Sequence, residues 1–227
     1  MTAQLSALRF GAGDPARLVR FWGAVLEREI DGLVLPPTDD TGFPIRFVPF
    51  ADPKTQPNQM HFDLTSQTPE EQDRTVARAL EHGGRHIDIG QKPEEGHVVL
   101  ADPEGNEFCV IAAGNRFLAG CGFLGALSSD GTQRVGRFWS EALGWPLVWD
   151  QDEETAIQSP QGGSKITWGG PPVRPKPGRN RLALDLAGSP VEVDRLVSLG
   201  AQLTTVADGH AEMADPDGNE FGLRLVA

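Results

Sequence analysis

The chain has 227 residues, 39% of them hydrophobic and 23% charged, with a formal net charge of −12. That composition is ordinary for a globular protein and excludes a disordered chain. The acidic balance, relieved by no basic run longer than RPKPGRNR, excludes a nucleic-acid backbone as partner. No apolar stretch approaches the ~20 residues of a membrane span. MTAQLSALRF lacks the charged-then-apolar pattern of a secretion signal, so a cytoplasmic protein with no membrane partner is expected. Two cysteines, Cys109 and Cys121, are too few for a disulfide framework, and with no tyrosine any general acid must be another residue type.

In chain order, a first strand around Ala7 leads to Asp14-Pro15, an N-cap residue followed by a proline that fits the first helical position. Leu18, Phe21, Trp22, Val25 and Leu26 then recur at helical spacing on one face. IDGLVL, PIRFVPF and, after the Pro-rich PKTQPNQ, MHFDL have strand character. Thr68-Pro69 starts a second helix with Val76, Ala79 and Leu80 inward, ending near Gly83. HVVLA and EFCVIA flank the turn ADPEGNEF. The second half repeats the order. A helix bearing Val135, Phe138, Trp139, Ala142 and Leu143 is followed by PLVWD, TAIQS, KITW, the Pro-rich PKPGRNR and LALDL. Ser189-Pro190 opens a helix with Val193, Leu196 and Val197 inward that ends near Gly200, and ADPDGNEF leads into EFGLRLV.

The order is a duplication. RLVRFWGAVL matches RVGRFWSEAL, MHFDL matches LALDL, and the acidic turn recurs at Ala101–Phe108 and Ala214–Phe221. Two domains follow, 1–115 and 116–227, each reading strand, helix, strands twice. The expected architecture is α+β: two tandem domains, each a pair of βαβββ units forming a curved mixed sheet with helices outside. The Asp, Pro, Gly and Asn of the repeated turn supply what a tight turn into a strand demands, so its first role is geometric.

The paired halves, DPxGNEF before the last strand and HFDL at the mid-domain strand resemble the vicinal-oxygen-chelate superfamily, and within it the glyoxalase-like and bleomycin-resistance-like domains. The resemblance covers nearly all of both halves. It implies a concave pocket for a small molecule, while the superfamily spans isomerases, ring-cleaving dioxygenases, thiol transferases and drug-sequestering binders. Metal-dependent members hold a divalent cation with His and carboxylate side chains. One carboxylate position falls here on Cys109 and Gly222. Another ligand position, about seven residues before the helix-capping Asp14 and Asp130, falls near Ala7 and Phe123. The mid-domain strand keeps His61 but has Ala183 in its second copy.

The usual ligand set is therefore broken in both halves, and no metal or other cofactor is expected; His61 is the only retained candidate. The alternative is a divalent ion held by His61 with Asp63, Glu107 or Cys109, since positions two apart on a strand share a face. Asp63 and Asp185 recur at equivalent positions and read either as cross-strand ties or as ligand or base groups. Asp63 and His61 are the candidate catalytic residues of an enzymatic reading. His61, Asp63, Cys109, Glu107 and Asp185 are the candidate ligand contacts, joined by Trp145, Trp149 and Trp168 as an aromatic wall. The expectation is a binder of a small organic molecule, a monomer with an internal pseudo-dimer or a homodimer. The alternative is a metal-dependent or metal-free lyase, isomerase or dioxygenase.

Overall fold

The computed structural model describes residues 2–176 and 178–226. The first unit runs β1 (Gln4–Ala12), α1 (Pro15–Leu26), β2 (Val34–Leu35) and β3 (Ile45–Pro49); the second runs β4 (Met60–Leu64), α2 (Pro69–Glu81), β5 (Arg85–His86), β6 (Val98–Ala101) and β7 (Glu107–Val110). The third is β8 (Leu124–Ser129), α3 (Gln133–Leu143), β9 (Leu147–Gln151), β10 (Glu154–Ser159) and β11 (Gly162–Trp168). The fourth is β12 (Leu182–Gly188), α4 (Val191–Leu199), β13 (Gln202–Ala207), β14 (His210–Ala214) and β15 (Glu220–Leu225).

The helix signals act locally as the residues require, with two shifts. Asp14 accepts the Arg17 N–H at 3.0 Å and Thr68 the Glu71 N–H at 3.2 Å, each just before a proline. The third helix is capped by Thr132, not Asp130, and α4 begins one residue later than Ser189-Pro190 suggests, with Pro190 at the N-cap and no side-chain cap. Gly200 closes α4 at φ 115°, a conformation glycine takes without strain. The edge strand β13 escapes the sequence pattern because all six of its residues are exposed, so no apolar alternation marks it.

The units are not paired as chain neighbours. One sheet runs β13-β14-β15-β12-β1-β3-β2, the other β5-β6-β7-β4-β8-β11-β10-β9. The first sheet thus joins the first and fourth units, the second sheet the second and third. Each contains two units meeting at an antiparallel seam, β1 with β12 and β4 with β8; three of the four units are βαβββ, the first has two strands after its helix instead of three, and each half-chain gives one unit to each sheet.

The sheets back onto one another through aromatic side chains. Phe10 of β1 meets Phe62 of β4 edge-on at 5.9 Å, and Trp22 of α1 packs on Phe62 and Phe108 at 4.8 and 4.9 Å. Trp139 repeats the arrangement on Phe221 at 5.0 Å. With Phe10 and Leu8 inward, alternation turns Arg9 to the opposite, open face of the first sheet; with Phe62 and Leu64 inward, His61 and Asp63 point to the open face of the second.

The repeated turn is the fastener. Asp102 accepts the backbone N–H groups of Glu104 and Asn106, both at 2.9 Å, and the indole N–H of Trp22 at 3.2 Å. Asp215 does the same for Asp217, Asn219 and Trp139. Glu104 then accepts the N–H groups of Gly13 and Asp14, and Asp217 the N–H and the hydroxyl of Thr132, so each turn holds the start of the preceding unit's helix. Because those two units lie in different sheets, the turn joins the sheets within each half.

Candidate functional site

On the second sheet, β4 runs between β7 and β8, with Asp63 level with Cys109 on one side and Ala126 on the other. The ligating atoms of His61, Asp63 and Cys109 all lie within 4.8 Å of one another. His61 Nε2 is 3.4 Å from Asp63 Oδ1, and Ser128 of β8 donates its hydroxyl to Asp63 Oδ2. Thr167 of β11 donates to the Ser128 oxygen at 3.3 Å. Cys109 is buried; burial first, and the Asp63 carboxylate second, push its thiol far above the ordinary range, so at neutral pH it is a protonated thiol and not a nucleophile.

Glu107 does not join this group. It accepts Lys54 Nζ at 2.7 Å and the Asn58 N–H at 3.2 Å, tying the first Pro-rich loop to the turn; Glu220 does the same with Lys176 and Asn180. As β7 alternates, Cys109 and Glu107 share a face, but the Lys54 ammonium draws the carboxylate to the end of the strand.

On the first sheet the equivalent positions carry different chemistry. Asp185 of β12 stands level with Ala7 and Gly222 as Asp63 does with Ala126 and Cys109. The first-strand position equivalent to Ala7 is therefore Ala126 and not Phe123; the cap at Thr132 and not Asp130 accounts for two of the three residues of the miscount, and the spacing from strand to cap is one residue shorter in the second half. Ala183 faces Arg9 where His61 faces Ser128, and Arg46 lies beside Arg9 where Thr167 lies beside Ser128. Asp185 is 4% exposed and is flanked by Arg9 Nε at 3.5 Å and Arg46 Nη2 at 2.9 Å. Arg9 also forks onto Glu212, with Nη1 to Oε1 at 3.1 Å and Nη2 to Oε2 at 3.4 Å, and Glu212 reaches His210 Nε2 at 3.1 Å.

Burial raises the Asp185 carboxyl from its ordinary value, and the two arginines only partly offset it. Burial also works to raise Glu212, but Arg9 overrides it and the net shift is downward. At Gly222 a Cβ would come 2.7 Å from Asp185 Oδ1 and 2.8 Å from His210 Nε2. The space where a ligating side chain would stand is filled by those two side chains.

A cavity of about 700 Å³ opens on this face. Its floor includes Arg9, Ala183 and Glu212, one wall is Val48 and Phe50, and Arg179 and Arg181 stand at the side. A second cavity of about 320 Å³, between the two Pro-rich loops, shares Phe50, Arg179, Asn180 and Arg181 with it.

The tryptophans do not form a wall. Trp149 is level with Ala156 and Trp168 with Thr155, and because 155 and 156 are consecutive on β10 the two indoles point to opposite faces. Trp168 is 2% exposed in the core and Trp145 packs against the core; Trp149 sits edge-on to Phe117 at 6.0 Å. Sequence reading singled out Asp185 but missed its partners Arg9, Arg46 and Glu212, which no local motif connects.

A family model described as a glyoxalase-like domain matches the chain twice, over residues 7–111 and 126–224. No curated protein matches the sequence. Among solved structures, glyoxalase I from Zea mays is similar at 14% identity with a TM-score of 0.67, covering 99% of this chain and 92% of that one. A putative dioxygenase from Bacillus subtilis subsp. subtilis str. 168 is also similar, at 14% identity and a TM-score of 0.59, covering 99% of this chain and 85% of that one. At these identities the likeness is one of fold, and fold does not fix the reaction.

Proposed function

We propose, from the premise that this chain belongs to the glyoxalase-like domain family, that it binds a small organic molecule in the cavity on the open face of its first sheet and does so without a metal ion there. One observation carries the reading: a cavity of about 700 Å³ is lined by Arg9 and Glu212, which are paired with each other and, through Arg9, with Asp185, while the space at Gly222, a ligand position of metal-dependent relatives, is taken by Asp185 and His210. Concave cavities of this size with a few fixed polar groups are the usual form of small-molecule sites. Arg9 and Asp185 hold the floor rigid, and Val48 and Phe50 offer an apolar face.

The test is a thermal-shift screen of small organic molecules on the wild type and on Val48→Trp, which fills the cavity from its wall. A ligand at 100 times its Kd stabilises by about 2.7 kcal/mol. Shifts that vanish in Val48→Trp support the reading; hits equally strong in the variant refute it.

A second reading is favoured by the His61–Asp63–Cys109 group on the other sheet. One nitrogen, one oxygen and one sulfur within 4.8 Å fit a zinc-type ion in number and kind, with a position left for water or substrate. His61, Asp63 and Cys109 would hold it, Cys109 giving up its proton and Asp63 releasing the Ser128 hydroxyl. When bound, such an ion would polarise a carbonyl or chelate paired oxygens. Elemental analysis of protein prepared without chelator tests this. Stoichiometric metal lost in His61→Ala supports a divalent-metal enzyme of the family; no metal under any loading condition rejects it.

A further inference from the structure

We propose that the ligand of the first-sheet cavity is an organic acid whose carboxylate or phosphate is gripped by Arg179, with its apolar body lying along Val48 and Phe50. This rests on the reading of that cavity as a binding site and names the class of its ligand.

The argument starts from which cations are already used. Four cations line the two cavities, Arg9, Lys54, Arg179 and Arg181, and three of them have acid partners. Arg9 spends its guanidinium on Asp185 and Glu212. Arg181 is bound to Glu104 at 2.9 Å and to the carbonyls of Gly11 and Asp52. Lys54 and Lys176 are paired with Glu107 and Glu220.

Arg179 is different: among the described residues it has no acid partner and no hydrogen bond, yet its guanidinium lies over the Phe50 ring, 5.5 Å from the centroid. Arg181 lies over the same ring at 5.4 Å. The contact seats the Arg179 guanidinium on the ring and leaves its five N–H donors without a partner among the described residues, and a free guanidinium takes a carboxylate or phosphate as a two-point pair. Arg179 and Phe50 line both cavities, so the free guanidinium stands where the 700 Å³ and 320 Å³ spaces adjoin. Arg46, on the same face as Arg9 and Val48, spends only Nη2 on Asp185 and keeps about half its side chain exposed, adding a second source of positive potential. A cationic ligand would meet these two arginines before reaching the paired carboxylates below.

The experiment is calorimetric titration of the full chain with a matched set of probes: naphthoate, naphthyl phosphate, naphthamide, naphthylmethylamine and inorganic phosphate. Wild type and Arg179→Met are compared, the variant keeping the apolar stem at an exposed position. Naphthoate or naphthyl phosphate should bind at least 10-fold tighter than naphthamide. Arg179→Met should weaken the anions by about 10- to 100-fold, the range for a lost charge-assisted pair, and leave the amide unchanged. The stronger of the two anions identifies carboxylate or phosphate as the natural group, and inorganic phosphate should bind more weakly than its naphthyl ester. The inference is overturned if naphthamide or the amine binds as well as the anions, or if Arg179→Met binds them normally; either result leaves the cavity a binding site for another class. Failure of every probe, together with an empty thermal-shift screen, would remove both readings.

Discussion

Replacing Arg9 by Met removes the guanidinium that serves two carboxylates while keeping most of the side-chain volume. Asp185 is 4% exposed and retains only Arg46, whose own side chain is half in water. Breaking a buried pair by removing one partner typically costs about 3–5 kcal/mol. Arg46 remains and Glu212 is more than a third exposed, so the expected loss at pH 7 is about 2 kcal/mol. Urea denaturation should show this as a midpoint lower by about 1 M for a slope of about 2 kcal/mol/M.

The pH dependence separates a charge effect from a packing effect. Burial holds the Asp185 carboxyl above its unfolded value, so its contribution is fully present below about pH 4 and is lost as pH rises through the folded value. Removing Arg9 moves that folded value further up and enlarges the loss at neutral pH. Glu212 has the opposite shift, with its net downward displacement due to Arg9, so it gives stability above about pH 4.3 that the variant forfeits. Both contributions make the penalty of Arg9→Met large at pH 7 and small at pH 4. Adding Asp185→Leu should recover at least half of the loss, since the buried charge then goes with its partner. An equal penalty at pH 4 and pH 7, or no recovery in the double variant, would refute the account of the network as charge compensation.

Three further outcomes are expected. Burial pushes the Asp215 carboxyl up to about 6, so this group costs stability as pH rises from 4 to 7, about 3 kcal/mol in all, and Asp215→Asn should flatten the wild-type decline across that window when unfolding free energy is followed against pH. Gly222→Glu, which restores a carboxylate at a family ligand position, should destabilise by about 2–3 kcal/mol and bind no metal by elemental analysis, because its Cβ meets Asp185 and His210 at under 3 Å. Gly136→Ala on α3 would put a Cβ 1.9 Å from Thr155 Oγ1 and 2.6 Å from Thr155 Cβ, and its loss of about 2 kcal/mol or more should shrink in the double variant with Thr155→Gly, which removes both atoms and a hydroxyl that has no hydrogen-bond partner of its own; additive losses in chemical denaturation would refute the clash.

Much of the fold was legible because each signal was local. The duplicated helix faces, the caps at Asp14 and Thr68 and the DPxGN turns are each complete within about ten residues. Strand alternation likewise sets His61 with Asp63, and Glu107 with Cys109, on shared faces, but does not show that Lys54 and Asn58 hold Glu107 apart from the others. What stayed hidden depends on partners far along the chain. Four units with the same grammar do not reveal that the first pairs with the fourth, and only that pairing sets Arg9 beside Asp185. The tryptophans failed for a related reason: a shift of one residue between β9, β10 and β11 decides which face each indole takes.

The duplicated aspartate shows how one frame supports two kinds of site. Asp63 and Asp185 occupy the same place in their sheets, each level with an alanine on the neighbouring first strand. In the first sheet the flanking positions are Arg9 and Arg46, so the charge is balanced by fixed guanidinium groups, the gap at Gly222 is closed by neighbouring side chains, and the open cavity lies beside the network. In the second sheet the same flanking positions are Ser128 and Thr167, neutral hydroxyls, and among the described residues Asp63 pairs with no Lys or Arg, its one ring partner being His61 Nε2 at 3.4 Å. Asp63 is therefore the carboxylate of the pair with no guanidinium beside it among the described residues, while Asp185 has two. If the chain performs a reaction, the second sheet is where the balance of charges leaves room for it, and the first is where a ligand can be held without one.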